Sequence, residues 1–304
     1  MSASSRPSSA DISLSAGINI AHISRVGACL DRLSIAGTEL VQQFPQDSPR
    51  PFFAGVLLAP WPNRIRDGRW TQDGNAYELA ITDKARHNAI HGLVTDGTFD
   101  VLHQSDSSVT LEDLIDPAAG YPFSVTVTVS YQLSDQGLEC AMSLRNEGVA
   151  NAPVALGAHP YLTIGDAPIR SLTIEAPVVS HLITDTQMIP VAEEAIAGSN
   201  VDISSRVSLE KLELDTGFRL GGDAPYTTTL AAHDGKKVSL WQSEEFGWLQ
   251  VFLTDEFPGP DSLTSALAVE PMTAPPDALN SGTDLKWLEP AESWGGRWGI
   301  SLSE

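Results

Sequence analysis

The feature that most constrains the fold is a strict two-residue alternation of apolar and polar side chains. In residues 123–131, Phe, Val and Tyr occupy every second position, and Ser or Thr occupies the positions between them. This alternation is typical of a β-strand with one face buried and the other in solvent. The pattern returns in residues 138–144, after a Ser-Asp-Gln-Gly sequence at 134–137 that favours a turn. The two stretches therefore predict an antiparallel hairpin.

Other apolar stretches predict more strands, at residues 18–28, 101–111, 172–174 and 298–302. Residues 238–241 and 248–253 predict a second hairpin, around a turn at 243–247. Helical periodicity is scarce, and only residues 208–214 and 276–280 predict short helical turns. Many short strands need frequent turns, and the chain has 24 glycines and 20 prolines. We therefore expect an all-β fold, a large antiparallel β-sandwich with little helix.

The composition fits one domain with a sizeable core. The chain has 304 residues, 42% of them hydrophobic, and all-β sandwiches reach this length as single domains. Residues 1–10 are rich in Ser and lack an apolar core, so we expect no secretory signal peptide. We therefore expect a disordered N-terminal tail over residues 1–13, followed by a single β-sandwich domain over residues 14–304.

The charge of the chain excludes two classes of partner. With 39 acidic and 18 basic residues, the formal net charge is −21, so we expect no binding to nucleic acid or to an anionic membrane. Five basic residues nevertheless lie close together in sequence, at Arg64, Arg66, Arg69, Lys84 and Arg86. This cluster leaves room for a local positive site in an acidic protein.

The cysteines and the hydropathy of the chain indicate the cellular compartment of the protein. Cys29 and Cys140 lie too far apart in sequence to indicate a disulfide framework, and Cys140 falls in an alternating strand pattern as a buried thiol. The most apolar run, residues 52–61, is too short to span a bilayer and contains Gly55 and Pro60. We expect a cytoplasmic protein, monomeric or homodimeric.

A single carboxylate inside an apolar stretch is the first candidate for chemistry. Glu270 lies in the sequence Leu-Ala-Val-Glu-Pro-Met at residues 267–272. Pro271 has no N–H to donate to a sheet, so we expect the strand to end at Glu270. Burial at that point would raise the pKa of the carboxyl, because desolvation disfavours its charged form. The alternative is an exposed glutamate at the end of a strand.

Four other residues are candidates, each with a structural alternative. His159 interrupts an apolar segment and could give or take a proton near pH 7, or it could be a hydrogen-bonded core histidine. His91 precedes Gly92, which lets the backbone approach a ligand closely. Arg64 offers a rigid fork of donors for oxygen-rich ligands, or it lies in a surface loop. Asp215 precedes a turn and would otherwise be an ordinary turn residue.

The sequence lacks the short spacings of common metal and cofactor sites. His91, His159, Asp215 and Glu270 are all possible metal ligands, but no two of them are spaced as in His-x-x-x-His. A phosphate loop, a nucleophile elbow and a dinucleotide fingerprint are all missing from the sequence. We therefore expect neither a metal ion nor a cofactor.

Taken in order, these segments resemble the aldose 1-epimerase (galactose mutarotase) family. The resemblance covers about residues 14–302, and the segments occur in the order and approximate spacing of that family. The matching segments are Asn63-Arg64-Ile65, Asn88 with His91-Gly92, Tyr121-Pro122, His159 with Tyr161, Leu-Asp-Thr-Gly-Phe at 214–218, Val269-Glu270-Pro271 and Pro-Asp-Ala-Leu-Asn at 276–280. Each motif is short, and their common order carries the resemblance.

The resemblance implies a β-supersandwich fold without metal or cofactor, and an enzyme that interconverts the α and β anomers of a free aldohexose. It implies that Glu270 is the general base and His159 the general acid. The residues expected to bind the sugar are Arg64, His91, Asp215, Asn63 and Tyr161. Aromatic side chains could also cover apolar faces of the sugar, although in a β-sandwich they more often lie in the core; those considered are Trp61, Trp241, Trp248 and Tyr161.

Two motifs depart from the family pattern. The family's His-Gly-Gly is His-Gly-Leu here, ending at Leu93, and its His-Ser-Tyr-Phe-Asn is His-Pro-Tyr-Leu-Thr, with Pro160 and Thr163 as changed neighbours. The residue types expected to catalyse the reaction are kept. We therefore expect these changes to bear on which sugar is bound and not on the class of reaction.

Three alternative functions remain open. The cluster of basic residues between positions 64 and 86 could bind a phosphate, which would make the protein a hexose-6-phosphate 1-epimerase on the same fold. Asp215 and Glu270 could form the carboxylate pair of a glycosidase. A non-catalytic sugar-binding or regulatory protein would bind sugar without exchanging its anomers, although such a protein would not need both His159 and Glu270.

Overall fold

β-Strands are the main secondary structure in the computed structural model, which describes residues 11–45, 48–259 and 262–303. The first nine strands are β1 (Asp11–Ala16), β2 (Asn19–Ser24), β3 (Cys29–Ile35), β4 (Thr38–Glu39), β5 (Leu57–Leu58), β6 (Arg64–Arg66), β7 (Arg69–Gln72), β8 (Asn75–Glu78) and β9 (Asn88–Ile90). The next nine are β10 (Asp100–Gln104), β11 (Ser108–Ile115), β12 (Val125–Leu133), β13 (Leu138–Asn146), β14 (Ala152–Val154), β15 (Gly157–Ala158), β16 (Tyr161–Leu162), β17 (Thr173–Glu175) and β18 (Val178–Thr184). The last nine are β19 (Pro190–Ala195), β20 (Val207–Ser208), β21 (Asp215–Leu220), β22 (Tyr226–Ala231), β23 (Lys237–Gln242), β24 (Trp248–Pro258), β25 (Leu263–Met272), β26 (Lys286–Leu288) and β27 (Ser293–Ser303).

Two large antiparallel sheets dominate the fold. One has nine strands in the order β10-β11-β12-β13-β27-β23-β22-β17-β20, and the other has eight, β19-β18-β21-β24-β25-β15-β5 with β16 also paired to β25. A four-stranded sheet (β1-β2-β3-β4) and three strand pairs complete the fold. Helix is limited, in the described ranges, to α1 (Ala278–Ser281) and the 3₁₀ helix Ile169–Ser171. The prediction of an all-β antiparallel fold with little helix is confirmed.

The alternation in residues 123–131 places one face of β12 in the core. Val127 and Val129 are fully buried, whereas Thr128 between them is half-buried. β13 pairs antiparallel with β12 along its whole length, which confirms the predicted hairpin. Cys140, on the buried face of β13, is a buried thiol as predicted. The core continues into the eight-stranded sheet, since Leu249 and Leu267 belong to the same apolar cluster.

The second predicted hairpin is wrong. β23 lies between β22 and β27 in the nine-stranded sheet, whereas β24 lies between β21 and β25 in the other. The chain crosses from one sheet to the other between them, and the buried Gln242 amide holds this crossing by donating to the carbonyls of Phe246 (2.6 Å) and Trp248 (2.9 Å). Alternation reports which face of a strand is buried, but it does not report the strand's partner.

The prediction that the strand stops at Glu270 is also wrong, because β25 continues through Pro271 to Met272. The backbone N–H groups of Val269 and Thr273 bond to the carbonyls of Pro160 and Leu156. Alternate N–H groups of a strand point to the same side, so the missing N–H of Pro271 faces the interruption between β15 and β16. Proline is tolerated there because no regular ladder of hydrogen bonds is broken.

Smaller predictions had mixed outcomes. The short helix predicted at 276–280 is present as α1, displaced toward its C-terminal end. Residues 208–214 contain no helix; Ser208 ends β20, and residues 209–214 connect β20 to β21. β1 begins at Asp11, so residues 11–13 are part of the first sheet and not of the predicted tail, and residues 1–10 lie outside the described residues. The predicted strands overlap β2, the β10–β11 hairpin, β17 and β27.

Along the parts of the chain that are described, none of the helices is long and apolar enough to pass through a membrane.

The two central strands of the eight-stranded sheet separate the core from the site. In β24 the residues Leu249 and Val251 point into the core, and Gln250 between them points to the opposite face. In β25 the neighbouring Val269 points into the core, so Glu270, which is paired with Gln250, also lies on the opposite face. The two-residue period thus places a carboxylate and an amide side by side on the face away from the core.

Gly137, in the turn between β12 and β13, tests how closely the chain packs at this hairpin. Its φ is +143°, and a Cβ would lie 2.2 Å from the carbonyl oxygen of Ile300 in β27. We expect Gly137→Ala to lower the free energy of unfolding by about 2 kcal/mol or more, because clash and backbone strain combine. Gly235→Ala is the matched control, since Gly235 also has a positive φ (+98°) but a Cβ there would have no atom within 4 Å. Equal urea midpoints for the two variants would contradict the close contact.

Candidate active site

A cavity of about 540 Å³ opens on the face of the eight-stranded sheet that carries Glu270. This volume lies within the roughly 300–1,000 Å³ typical of small-molecule sites. The cavity is lined by Phe52, Phe53, Asn63, Arg64, residues 82–86, Ile90, His91, His159, Asp215, Gln250, Phe252, Thr254, Glu256 and Glu270.

The centre of the cavity is a direct contact between a carboxyl group and an imidazole. Oε1 of Glu270 lies 3.3 Å from Nε2 of His159, and the two side chains are 2% and 5% exposed. Within the described part of the chain, Oε2 of Glu270 and Nδ1 of His159 have no hydrogen-bond partner. A buried polar atom without a partner is uncommon in proteins, so a carboxylate oxygen left free here is available to a ligand.

His159 is held by the backbone and by aromatic neighbours. It lies between β15 and β16, where its N–H donates to the carbonyl of Val56 (3.0 Å) and its carbonyl accepts from Gly55 (2.9 Å). The ring stacks on Tyr161, with centroids 5.3 Å apart and planes at 24°, and Phe53 lies 6.4 Å away. These contacts leave the imidazole little freedom to turn away from Glu270.

Asn63 and His91 hold each other by two hydrogen bonds. The N–H of His91 donates to the carbonyl of Asn63 (3.0 Å), and the N–H of Asn63 donates to Nδ1 of His91 (3.3 Å). Because Nδ1 accepts a hydrogen bond, the proton of the neutral ring lies on Nε2, and His91 can donate to a ligand oxygen. The ring is 5.2 Å from that of His159 and 4.6 Å from that of Phe53. Gly92 packs against the backbone of Ala59, where a Cβ would be only 2.0 Å from the carbonyl oxygen.

Arg64 enters the cavity from β6 and is fixed by an acidic partner. Its Nε donates to Oδ2 of Asp83 at 2.9 Å, and both side chains are only 10% exposed. The Asn63 side chain accepts from the backbone N–H of Arg64 at 2.9 Å. The guanidinium is therefore anchored at one edge, and its remaining donors can bind a ligand.

Asp215 is oriented by Gln250. Nε2 of Gln250 donates to Oδ1 of Asp215 at 2.8 Å. Gln250 is paired with Gly217 on one side and with Glu270 on the other, so the three residues form one row across the sheet. Gly217 carries no side chain, which leaves the Gln250 amide room to reach the carboxylate.

The structure brings together six of the seven residues proposed from the sequence. Glu270, His159, Arg64, His91, Asp215 and Asn63 all line the cavity. Tyr161 does not; it is fully buried behind His159, and its hydroxyl donates to the carbonyl of Phe52 at 3.5 Å. Direct contact of Tyr161 with a sugar is therefore not supported, and its ring instead supports His159.

Other residues considered from the sequence also lie elsewhere. The changed motif positions Leu93, Pro160 and Thr163 are not part of the cavity lining, and neither are Trp61 or Trp248. The aromatic side chains that do line the cavity are Phe52, Phe53 and Phe252. A direct effect of the three motif changes on sugar choice is therefore not supported by their positions.

Sequence reasoning missed Phe52, Phe53, Asp83, Gln250 and Phe252. The alternation of β24 could have indicated Gln250 and Phe252, because both fall on the face opposite Leu249. Nothing in the local sequence of Phe52, Phe53 or Asp83 indicated a site. Their positions depend on contacts made far away in the chain.

The backbone around the cavity is strained. Phe52 (φ 43°), Phe53 (φ 57°), Asn63 (φ 55°) and His91 (φ 66°) adopt left-handed conformations that side chains other than glycine disfavour. Such residues cost free energy and persist only where the surrounding structure holds them, which is common at functional sites. The strain therefore supports a ligand-binding role for this cavity.

Burial sets the ionisation of the central pair. It lowers the pKa of His159 from its ordinary value to about 3 and lowers that of His91 well below its ordinary value, in each case helped by the charge of Arg64. Burial also raises the pKa of Glu270 well above its ordinary range, Asp215 adds to this rise and Arg64 opposes it. All three groups therefore favour their neutral forms, and the proton of the pair lies on Glu270 in the free protein.

The same three residues form a possible metal cluster. His91, His159 and Glu270 each offer one ligand atom, all within 4.8 Å of one another. A metal requires deprotonated ligands, but Nδ1 of His91 already accepts a hydrogen bond and Glu270 favours its protonated form. The arrangement does not favour a metal ion, and metal independence stays a prediction.

Comparison with known proteins identifies the family. The family model described as Aldose 1-epimerase matches residues 11–301, which is nearly the whole chain. The chain belongs to the aldose 1-epimerase family. It is 31% identical over 280 residues to the uncharacterized protein YihR of Escherichia coli (strain K12), covering 91% of this chain and 88% of that protein. It is 25% identical over 213 residues to the aldose 1-epimerase of the same strain, covering 66% and 61%.

The structural comparison agrees with the family assignment. The chain superposes on the GalM/aldose epimerase homologue from C. elegans with a TM-score of 0.83, covering 97% of this chain and 98% of the other. At 17% sequence identity this likeness shows the fold alone. It confirms the predicted galactose mutarotase-like fold. The family consists of isomerases that act on sugars, so its members bind a sugar in this fold.

The ionisation of His159 can be measured directly. We expect the carbon chemical shifts of its ring, in protein labelled with ¹³C-histidine, to stay constant between pH 7 and pH 5, because burial keeps the ring neutral down to about pH 3. The signal is assigned by its loss in His159→Asn. A titration midpoint of His159 near 6.5 would show that the imidazole is solvated or ion-paired and would contradict the neutral pair.

Proposed function

We propose that the protein is an aldose 1-epimerase that interconverts the α and β anomers of a free aldohexose. The observation that carries this proposal is the contact of 3.3 Å between the Glu270 carboxyl and the His159 imidazole, buried in a cavity of about 540 Å³. Anomer exchange needs one base and one acid on the same edge of the sugar, and these two groups meet that need.

The reaction opens and closes the sugar ring. Glu270, in its ionised form, takes the proton of the C1 hydroxyl, while protonated His159 gives a proton to the ring oxygen. The bond between C1 and the ring oxygen breaks, and C1 becomes a carbonyl carbon. Rotation about the C1–C2 bond presents the other carbonyl face. The two groups then exchange roles, the ring closes, and every proton returns to its starting partner.

The proton on the pair needs only a short transfer to reach this reactive form. In the free protein, burial favours a protonated Glu270 and a neutral His159. Moving that proton across the contact of 3.3 Å gives the ionised base and protonated acid without changing the net charge. A sugar hydroxyl that donates to the free Oε2 of Glu270, together with Arg64, favours the ionised carboxylate.

The remaining polar residues hold the sugar. Arg64 and the Nε2–H of His91 donate to sugar oxygens, and Asp215, oriented by Gln250, accepts from sugar hydroxyls. Asn63 acts beside them mainly by holding His91 and Arg64. Fixing the sugar in one orientation places C1 and the ring oxygen at the catalytic pair, which is a large part of the rate gain in such sites.

Polarimetry of freshly dissolved α-D-glucose and α-D-galactose tests the proposal. We expect the protein to accelerate the change in optical rotation, with chelator present to exclude trace metals. Glu270→Gln and His159→Asn should each lower kcat by roughly a hundredfold or more, because Gln keeps the shape of Glu but cannot accept the proton, and Asn cannot donate a proton to the ring oxygen. The double variant should be little worse than the poorer single variant, since the two groups act as a unit.

Near-normal kcat in both folded single variants would show that the assigned acid and base are wrong. Two further assays separate the other functions considered. New reducing ends from glycosides would indicate a glycosidase, and sugar binding without faster anomer exchange would indicate a binding protein.

Arg64 provides a second test of the site. We expect Arg64→Ala to raise KM strongly, because the anchored guanidinium donates to sugar oxygens, and Arg64→Lys to replace it poorly. The matched control is Arg69→Ala, since Arg69 is exposed and bonds to Glu78 outside the cavity. Unchanged kinetics in Arg64→Ala would place Arg64 outside the binding site.

A further inference from the structure

Two basic side chains at the rim of the cavity form no ion pair with any described residue. In the described ranges, all but four of the arginines and lysines form an ion pair with a carboxylate. The four are Lys84, Arg86, Lys211 and Lys237. Lys84 and Arg86 both line the cavity that contains Glu270, whereas the other two do not. Two of the four unpaired positive charges in the described ranges therefore lie at the cavity that contains Glu270.

These charges are carried by a fixed segment, residues 82–88, here called the rim loop. Asp83 and Asn88 exchange two backbone hydrogen bonds of 2.9 and 3.0 Å. The Asp83 carboxylate accepts from the backbone N–H of Arg86 at 3.2 Å, and the Arg86 carbonyl accepts from the Gln187 amide at 3.2 Å. The backbone that presents Lys84 and Arg86 is therefore held in place before any ligand arrives.

The rim loop is connected to the catalytic pair through direct contacts. The ring of His159 contacts that of His91, and Nδ1 of His91 accepts a hydrogen bond from the backbone N–H of Asn63. Arg64, which follows Asn63 in the chain, donates a hydrogen bond to Asp83 of the rim loop. A sugar bound between Glu270 and Arg64 therefore lies beside the rim loop. Lys84 and Arg86 line the same cavity as Glu270 and Arg64, so both cations border the space open to such a sugar.

We propose that this cavity accepts a neutral aldohexose but binds more tightly an aldose that carries an anionic group, a phosphate ester, a sulfate ester or a carboxylate, which lies against Lys84 and Arg86. This inference rests on the proposed function and names the class of its substrate. With a net charge of −21 the chain repels anions in general, so two unpaired cations at the cavity select for them locally. Glu256, exposed on β24, also lines the cavity and opposes an anion, so the bound group lies on the side of the rim loop.

Calorimetric binding in a buffer free of phosphate tests the subsite, with glucose, glucose 6-phosphate, glucose 6-sulfate and glucuronate as probes. We expect at least one anionic sugar to bind roughly tenfold or more tightly than glucose at low salt, with a difference that shrinks as salt is added. The ranking of the three probes identifies which anionic group the subsite fits.

Substitutions of Lys84 and Arg86 distinguish an effect of their charge on binding from an effect of the rim-loop structure. The double variant Lys84→Ala with Arg86→Ala should lose most of the preference for the anionic sugar, and Lys84→Arg with Arg86→Lys should keep much of it. Lys211→Ala is the matched control, because it removes an unpaired exposed charge outside the cavity and should change neither affinity.

Two results would overturn the subsite. The first is that the wild-type protein binds glucose and all three anionic sugars with equal affinity. The second is that the alanine double variant loses affinity equally for glucose and for the anionic sugars. Polarimetry separates this inference from the proposed function. Accelerated anomer exchange without a preference for anionic sugars would contradict only the anionic subsite. Charge-dependent binding without anomer exchange would contradict only the proposed epimerase activity.

Discussion

The burial of Glu270 against His159 is the constraint on which the rest of the site depends. Charged groups removed from water are costly, and each partner is more stable in its neutral form. One proton shared across 3.3 Å keeps both groups neutral. The fold must then hold a residue of β25 and a residue between β15 and β16 at hydrogen-bond distance. It does so with backbone bonds on both sides of His159 and with a central strand for Glu270.

Much of this arrangement could be predicted from the sequence because the information is local. The alternation in residues 123–131 shows which face of a strand is buried, and it predicted the fold class and the first hairpin. A carboxylate or imidazole inside an apolar stretch is likewise visible in the sequence, as at Glu270 and His159. Their roles came from the order of motifs that resembles a family, and the structure brings the same residues to one cavity.

The rest could not be predicted because it depends on contacts between distant segments. The alternation in β23 and β24 gives no reason why they belong to different sheets, since the Gln242 bonds that hold the crossing appear only in the folded chain. Tyr161 lies two residues from His159 and was expected to contact the ligand, but its strand pairing with β25 turns the ring against the imidazole instead. Proximity in sequence to His159 did not distinguish a residue that packs against the imidazole from one that lines the cavity.

The ion pair between Arg64 and Asp83 connects the cavity to the rim loop. Both side chains are nearly buried, so removal of either would leave the other charge without compensation, which is more costly than losing an exposed pair. Asp83 also binds the backbone of Arg86, so the same carboxylate fixes the guanidinium inside the cavity and the loop outside it. A change in the shape of the rim loop therefore also shifts the carboxylate that anchors Arg64.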